Sequence, residues 1–227
     1  MSRGLEFAAG CFVNCGLVDD SFALSLGERE RENSIPRARL LLLALAALWL
    51  SGCKSEPIAK DRPPEVSVLD MENRTVNPFD KPEAKAIVFF FIRTDCPISN
   101  RYAPEIERLA GRYANERVAF WLVYPEASTS VGEIEQHQKE YHLSVPALRD
   151  ARHALVSVAK VKVTPEAAVF TPGGNEVYRG RIDDRYVDFG KERPAPTTHD
   201  LDQVLARVIG GKPVANSATR AIGCYIE

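Results

Sequence analysis

Two continuous apolar runs, separated by an amphipathic segment, constrain this chain more than any other feature. Residues 86–92 read AIVFFFI and residues 117–124 read RVAFWLVY. Runs this rich in aromatic and β-branched side chains, without polar alternation, suit strands covered on both faces. Between them, Ile98, Tyr102, Ile106, Leu109 and Tyr113 recur at helical spacing. Strand, helix and strand in about 40 residues make a βαβ unit, which implies a parallel pair and a right-handed crossover.

Further elements follow from the same rules. Residues 128–142 predict a helix capped by Ser128 or Thr129. A short strand is expected over 145–148 and a helix over 150–160. Residues 167–170 and 176–182 predict an antiparallel hairpin around Pro172-Gly173-Gly174-Asn175. Residues 184–196 read as loop. A last helix is expected over 198–209, with Gly210 and Gly211 beyond its end. The fold class is α/β, a central mixed β-sheet flanked by helices, with a parallel half and a hairpin half. An apolar content of 45% suits a packed core and excludes chain-wide disorder. The balance of 29 basic against 31 acidic side chains lacks the basic excess of a nucleic-acid binder, so no nucleic acid is expected as partner.

The leader is informative. Residues 40–50 carry no polar side chain, follow Arg37 and Arg39, and precede Ser51-Gly52-Cys53. As a helix they rise about 16 Å, short of a bilayer core of about 30 Å. Basic flank, short apolar stretch and small-residue exit describe a secretory signal peptide. The ending Leu50-Ser51-Gly52-Cys53 resembles a bacterial lipobox, which implies cleavage before Cys53 and a lipid anchor on its thiol. Residues 1–52 are then leader and signal, 53–63 a polar, proline-rich tether, 64–210 the folded domain and 211–227 a tail carrying Cys224. The roughly 35 residues before the basic flank are unusual for a signal peptide, and Met1 reads as a misassigned start. Cys11 and Cys15 would then lie outside the translated chain.

Cys96 lies where the first apolar run ends and the helix begins, in Thr94-Asp95-Cys96-Pro97. Pro97 suits the first helical position. A thiol placed there meets unpaired N–H groups and the positive helix end, which favour the nucleophilic thiolate. Arg93 and Arg101 would add to this and Asp95 would oppose it.

Around that cysteine the chain resembles the thioredoxin-like superfamily. Cys96-Pro97-Ile98-Ser99 stands at the C-x-x-C position with Ser99 in the second place. Pro104 matches the helix-kinking proline. Thr164-Pro165 matches the cis-proline that faces the active cysteine. The resemblance implies a thioredoxin-like fold over roughly 64–210, with Pro165 beside the site and its neighbouring backbone pairing with a thiol substrate. Within the superfamily the chain looks most like the redoxin/AhpC-TSA group of envelope proteins, on its CPISN, RIDDR and Gly223-Cys224-Tyr225-Ile226 segments. That implies a bacterial envelope location, lipid-anchored and facing the periplasm. The pattern departs from true peroxiredoxins: Thr94 is two residues before Cys96 rather than three, and their earlier proline is missing.

The resemblance therefore implies a thiol-disulfide oxidoreductase with Cys96 as nucleophile, Thr94 and Pro165 beside it, and protein or small-molecule thiols and disulfides as partners. Such exchange cycles most simply with two cysteines. Cys224 lies on a 17-residue tail after Gly210 that can reach about 55 Å. It reads either as the resolving thiol or as a buried residue of a short strand, since Ile222, Cys224 and Ile226 alternate. Three other functions are open. One is a thiol peroxidase of the AhpC/TSA type. Another is a Cu(I) chaperone using both thiols and one of His137, His142, His153 or His199. The third is a redox-inactive binding module. No cofactor or resident metal is expected: C-x-x-C-H is absent, His137 and His142 suit a solvated helix face, and Asp183-Asp184 suits a salt-bridged loop.

Overall fold

The computed structural model describes residues 63–215 and 217–227. The leader, signal peptide, Cys53 and nearly all of the tether expected from the sequence lie outside the described residues.

The strand expected from AIVFFFI is β3 (Ala86–Phe91), after two short strands, β1 (Val68–Leu69) and β2 (Thr75–Val76). All six β3 residues are buried. The helix α1 (Pro97–Arg112) returns the chain to β4 (Val118–Tyr124), which pairs parallel with β3 from Ala86–Val118 to Phe91–Val123. The expected βαβ unit is therefore present. The chain continues through α2 (Val131–Glu140), β5 (Ala147–Arg149), α3 (Ala154–Ala159), β6 (Val163–Thr164), β7 (Glu166–Phe170), β8 (Glu176–Gly180), β9 (Tyr186–Asp188), β10 (Lys191–Glu192), α4 (Asp200–Ile209) and β11 (Cys224–Tyr225). Strand order in the main sheet is β2-β1-β5-β4-β3-β7-β8, with β7 antiparallel to β3 and to β8. The sheet is thus mixed, as expected.

Because side chains alternate across a strand, β3 feeds two cores. Val88 and Phe90 face a layer with Tyr102, Ile106 and Leu109 of α1 and Leu201 and Leu205 of α4. Ile87, Phe89 and Phe91 face Phe79, Leu155, Ala159 and Phe170. Phe79 packs edge-on to Phe170, with ring centroids 5.2 Å apart. At about 1.5–3 kcal/mol per fully buried side chain of this kind, β3 is the main apolar anchor of both layers.

The differences from expectation have local causes. Ser130, not Ser128 or Thr129, caps α2, because Ser130 and Glu133 satisfy each other's backbone N–H groups in a capping box. The strand expected at 145 starts at Ala147, after Pro146, which has no N–H to pair. Helix α3 begins at Ala154 because the Asp150 carboxylate takes the N–H groups of Ala154 and Val156, leaving 150–153 as a turn. The stretch read as loop contains the β9–β10 hairpin. Helix α2 is not fully solvated: His137 is 5% exposed. The last segment docks on the domain, with β11 antiparallel to β6. No helix among the described residues is long and apolar enough to cross a membrane.

Candidate active site

Cys96 caps α1 at the carboxyl end of β3 and is fully buried. Opposite it, the Thr164–Pro165 peptide bond is cis. The β11–β6 pairing sets Cys224 against Thr164 and Tyr225 against Val163. Two cysteines 128 residues apart are thereby brought together as free thiols, with Sγ atoms 2.8 Å apart. Cys96 Sγ also lies 3.2 Å from the Thr164 carbonyl oxygen, to which it donates as a thiol.

Gly223 makes this approach possible. A Cβ there would overlap the Thr164 carbonyl and crowd the Pro165 nitrogen. Three further contacts hold the strand: Ile226 N donates to the Lys162 carbonyl at 3.0 Å, Arg93 Nη1 to the Tyr225 carbonyl at 3.2 Å, and Thr164 Oγ1 to the Cys224 carbonyl at 3.5 Å.

The two thiols are electrostatically unequal. Burial alone pushes the Cys96 thiol up, but hydrogen bonds from Cys224 and from the Ser99 side chain and amide more than offset it, so its pKa lies below the ordinary thiol value. Ser99, in the second C-x-x-C position, favours the charged form of Cys96, and its oxygen accepts from the Arg93 amide at 3.5 Å. Burial, then the hydrogen bond and charge of Cys96, push the Cys224 thiol up to about 12. Of the two, Cys96 is therefore the thiol that ionises first, and Cys224 is the one that keeps its proton.

The other sequence-derived residues fare differently. Thr94 enters through its main chain, its carbonyl accepting from Asn100 Nδ2 at 3.1 Å. Arg93 does not serve the thiolate directly; its guanidinium bonds both Asp95 carboxylate oxygens, at 3.0 and 3.1 Å, besides the tail. Arg101 is exposed. Asn100 and His137 complete a network that sequence reasoning missed. Asn100 Nδ2 also donates to Tyr141 Oη at 3.1 Å, so its Oδ1 accepts, at 2.9 Å, from His137 Nε2–H. His137 Nδ1 then accepts from Tyr124 Oη at 2.8 Å, which makes the imidazole neutral. Burial lowers the His137 pKa, in the same sense. The spacing of Ile134, His137 and Tyr141 along one helix face was the available signal.

A cleft of about 530 Å³, lined by Phe120, Trp121 and Ala110, lies at the amino-terminal end of β4, the opposite end of the sheet from Cys96. The only cluster of three potential metal ligands among the described residues is Glu105, Asp183 and His199, which excludes both thiols. A Cu(I) site completed by a histidine therefore has no geometric support.

Residues 59–179 match the model of the AhpC/TSA family. No match is found among curated proteins. The chain is similar in structure to an uncharacterised conserved protein from Geobacillus kaustophilus, at 24% identity over 77% of this chain and 93% of that one, TM-score 0.64. A hypothetical protein from Sinorhizobium meliloti 1021 aligns at 21% identity over 76% and 95%, TM-score 0.63. A candidate thiol:disulfide interchange protein DsbE from Chlorobium tepidum aligns at 16% identity over 66% and 97%, TM-score 0.52. These likenesses establish a thioredoxin-like fold.

Proposed function

The chain belongs to the AhpC/TSA family, and from that premise we propose that it is a thiol-disulfide oxidoreductase cycling through a Cys96–Cys224 pair. The observation that carries this reading is the 2.8 Å approach of the two sulfurs beside the cis peptide at Pro165.

The Cys96 thiolate attacks one sulfur of a substrate disulfide. A Cys96–substrate bond forms, the substrate S–S bond breaks, and one substrate thiolate leaves. Cys224 then loses its proton to that thiolate and attacks Cys96 Sγ. The intramolecular disulfide forms and the second substrate thiolate leaves, taking a proton from solvent. Two electrons pass from the cysteine pair to the substrate, and the reverse sequence oxidises a dithiol. The helix N-terminus and Ser99 stabilise Cys96 both as attacking and as leaving group.

Cys96 has no exposed surface while β11 is docked. A substrate disulfide therefore reaches it only after β11 leaves β6. The freed β6 edge then presents its N–H and C=O groups to an extended segment of a protein substrate.

The proposal includes the location: an envelope protein anchored by a lipid on Cys53 and facing the periplasm, supported by the lipobox-like Leu50-Ser51-Gly52-Cys53. Metabolic labelling with a fatty acid should mark the parent and not Cys53→Ala.

Thiol titration tests the chemistry. Mild oxidation should remove two free thiols from the parent, and reductant should restore them. Neither Cys96→Ser nor Cys224→Ser should lose that pair. An unchanged thiol count in the parent would overturn the assignment.

A further inference from the structure

The exchange chemistry uses neither of the adjacent aspartates that follow β8. Asp184 is fully engaged. Its carboxylate accepts from Thr197 N at 2.7 Å, Thr197 Oγ1 at 2.5 Å and Thr198 N at 2.9 Å, with Arg193 Nε at 3.6 Å. Asp183 is not. It is 1% exposed, and its Oδ1 accepts from Tyr102 Oη at 2.6 Å and from the Arg185 amide at 2.9 Å. Its Oδ2 is buried with no hydrogen-bond partner. A buried carboxylate oxygen without a partner carries a full desolvation cost and calls for a cation or proton.

Two further potential ligands converge on Asp183 from distant parts of the chain. Glu105 comes from the middle of α1 and His199 from the position before α4. One ligating atom each from Glu105, Asp183 and His199 lie within 4.8 Å of one another. His199 Nδ1 stands 3.9 Å from Glu105 Oε1. Arg108 also holds Glu105, through two bonds of 2.7 Å. It offsets one of the two carboxylates and leaves a net negative charge. A carboxylate oxygen has two lone pairs, so Glu105 Oε1 can keep Arg108 while ligating.

We propose that Glu105, Asp183 and His199 form a binding site for a divalent transition-metal cation of the zinc class. The donor set selects the class. Calcium and magnesium favour all-oxygen shells of six or more ligands, whereas an imidazole with two carboxylates suits Zn²⁺. Tetrahedral zinc, with bonds of about 2.0–2.2 Å, places ligand atoms roughly 3.4 Å apart. The three groups must therefore close by about 1 Å. The half-exposed His199 side chain supplies that movement and the entry route, while buried Asp183, oriented by Tyr102, is the fixed ligand. A fourth position would be left to water. A bound ion would tie α1, which carries Cys96 at its start, to α4.

The test uses Zn²⁺ alone on the full chain after treatment with chelator. Since thiols also bind zinc, every protein carries Cys96→Ser and Cys224→Ser. Equilibrium dialysis should show one more Zn²⁺ per chain in this background than after adding Asp183→Asn or His199→Ala. Zn²⁺ should raise the thermal midpoint of the background protein and leave both variants unmoved. Asp183→Asn keeps the acceptor for Tyr102, and His199→Ala removes a surface side chain, so the second decides the matter if the first does not fold. Equal zinc stoichiometry in all three proteins, or displacement of the ion by equimolar Mg²⁺, would overturn the proposal.

Discussion

The turn that carries Cys96 and the strand that carries Cys224 are held by different means. The turn is built into the domain. Its strand is buried throughout, its helix packs on the core, and its backbone is tied through Thr94 and Asn100 to buried His137 and Tyr124. The Cys224 strand is two residues long, pairs with another two-residue strand, and ends in Tyr225, which is 72% exposed. Elements with few buried contacts open at a fraction of the global unfolding free energy. In the proposed cycle the nucleophile is therefore fixed and its resolving partner clipped on, an arrangement that would let a substrate enter and a second thiol return.

The sharpest way to break this comparison is to remove one sulfur at a time. Cys96→Ser should abolish turnover, because no thiolate is left at the helix start. Cys224→Ser should stop the cycle one step later, accumulating a mixed disulfide with a substrate peptide that mass spectrometry detects. If Cys224→Ser turns over at the parent rate, the tail is not the resolver. The next largest effect is expected from Gly223→Val. Its Cβ would collide with the Thr164 carbonyl, so β11 should detach while the domain stays folded. Hydrogen exchange at the Ile226 amide should rise by at least tenfold, with the global unfolding midpoint little changed. Oxidation to the intramolecular disulfide should slow. An intact, protected tail in Gly223→Val would contradict the clipped-strand description.

Much of the fixed region was legible in the sequence and little of the clipped one. β3, α1 and β4 are long enough for hydrophobic pattern to declare them, and Cys96-Pro97 marks the helix start. The short β1, β2 and β6 are too brief for any period to register; the alternation of Ile222, Cys224 and Ile226 did mark a strand at β11, but not the neighbour that completes it. His137 escaped because a single buried imidazole on an otherwise polar helix resembles a solvated one. Its partners Tyr124 and Asn100 come from other elements. Pro165 and Ser99 were legible only through family resemblance. Asp183 and Asp184 were read together as a salt-bridged loop because sequence cannot show that one carboxylate is saturated and its neighbour is not.

The built-in region should respond to stability probes where the tail does not. Asn100→Ala leaves His137 Nε2–H and the Thr94 carbonyl without their partner and should cost about 1–3 kcal/mol in urea unfolding. Acid acts on the same network. The His137 pKa is lower in the folded chain than in the unfolded one, so the unfolded state binds the proton more readily. The stability due to neutral His137 is fully present above about pH 6.5 and is lost as pH falls towards the depressed folded value. His137→Phe should flatten that part of the pH–stability curve. A curve of the parent's shape would place the acid sensitivity elsewhere.

The smallest effect tests the tail's polar clip. Arg93 donates to the Tyr225 carbonyl from a guanidinium already engaged by exposed Asp95 and, at 3.2 Å, by half-buried Glu126. Ion pairs of this kind are worth about 0.2–1 kcal/mol, and the bond to the tail adds an increment of similar size. Arg93→Ala should therefore leave global stability almost unchanged and raise exchange at the Ile226 amide by about two- to fivefold, well below the effect of Gly223→Val. Such an order would assign the docking of β11 to backbone fit at Gly223 rather than to charge. The reverse order, with Arg93→Ala opening the tail more than Gly223→Val, would make the guanidinium the latch and tie docking to ionic strength, since an interaction at the surface weakens as salt screens it.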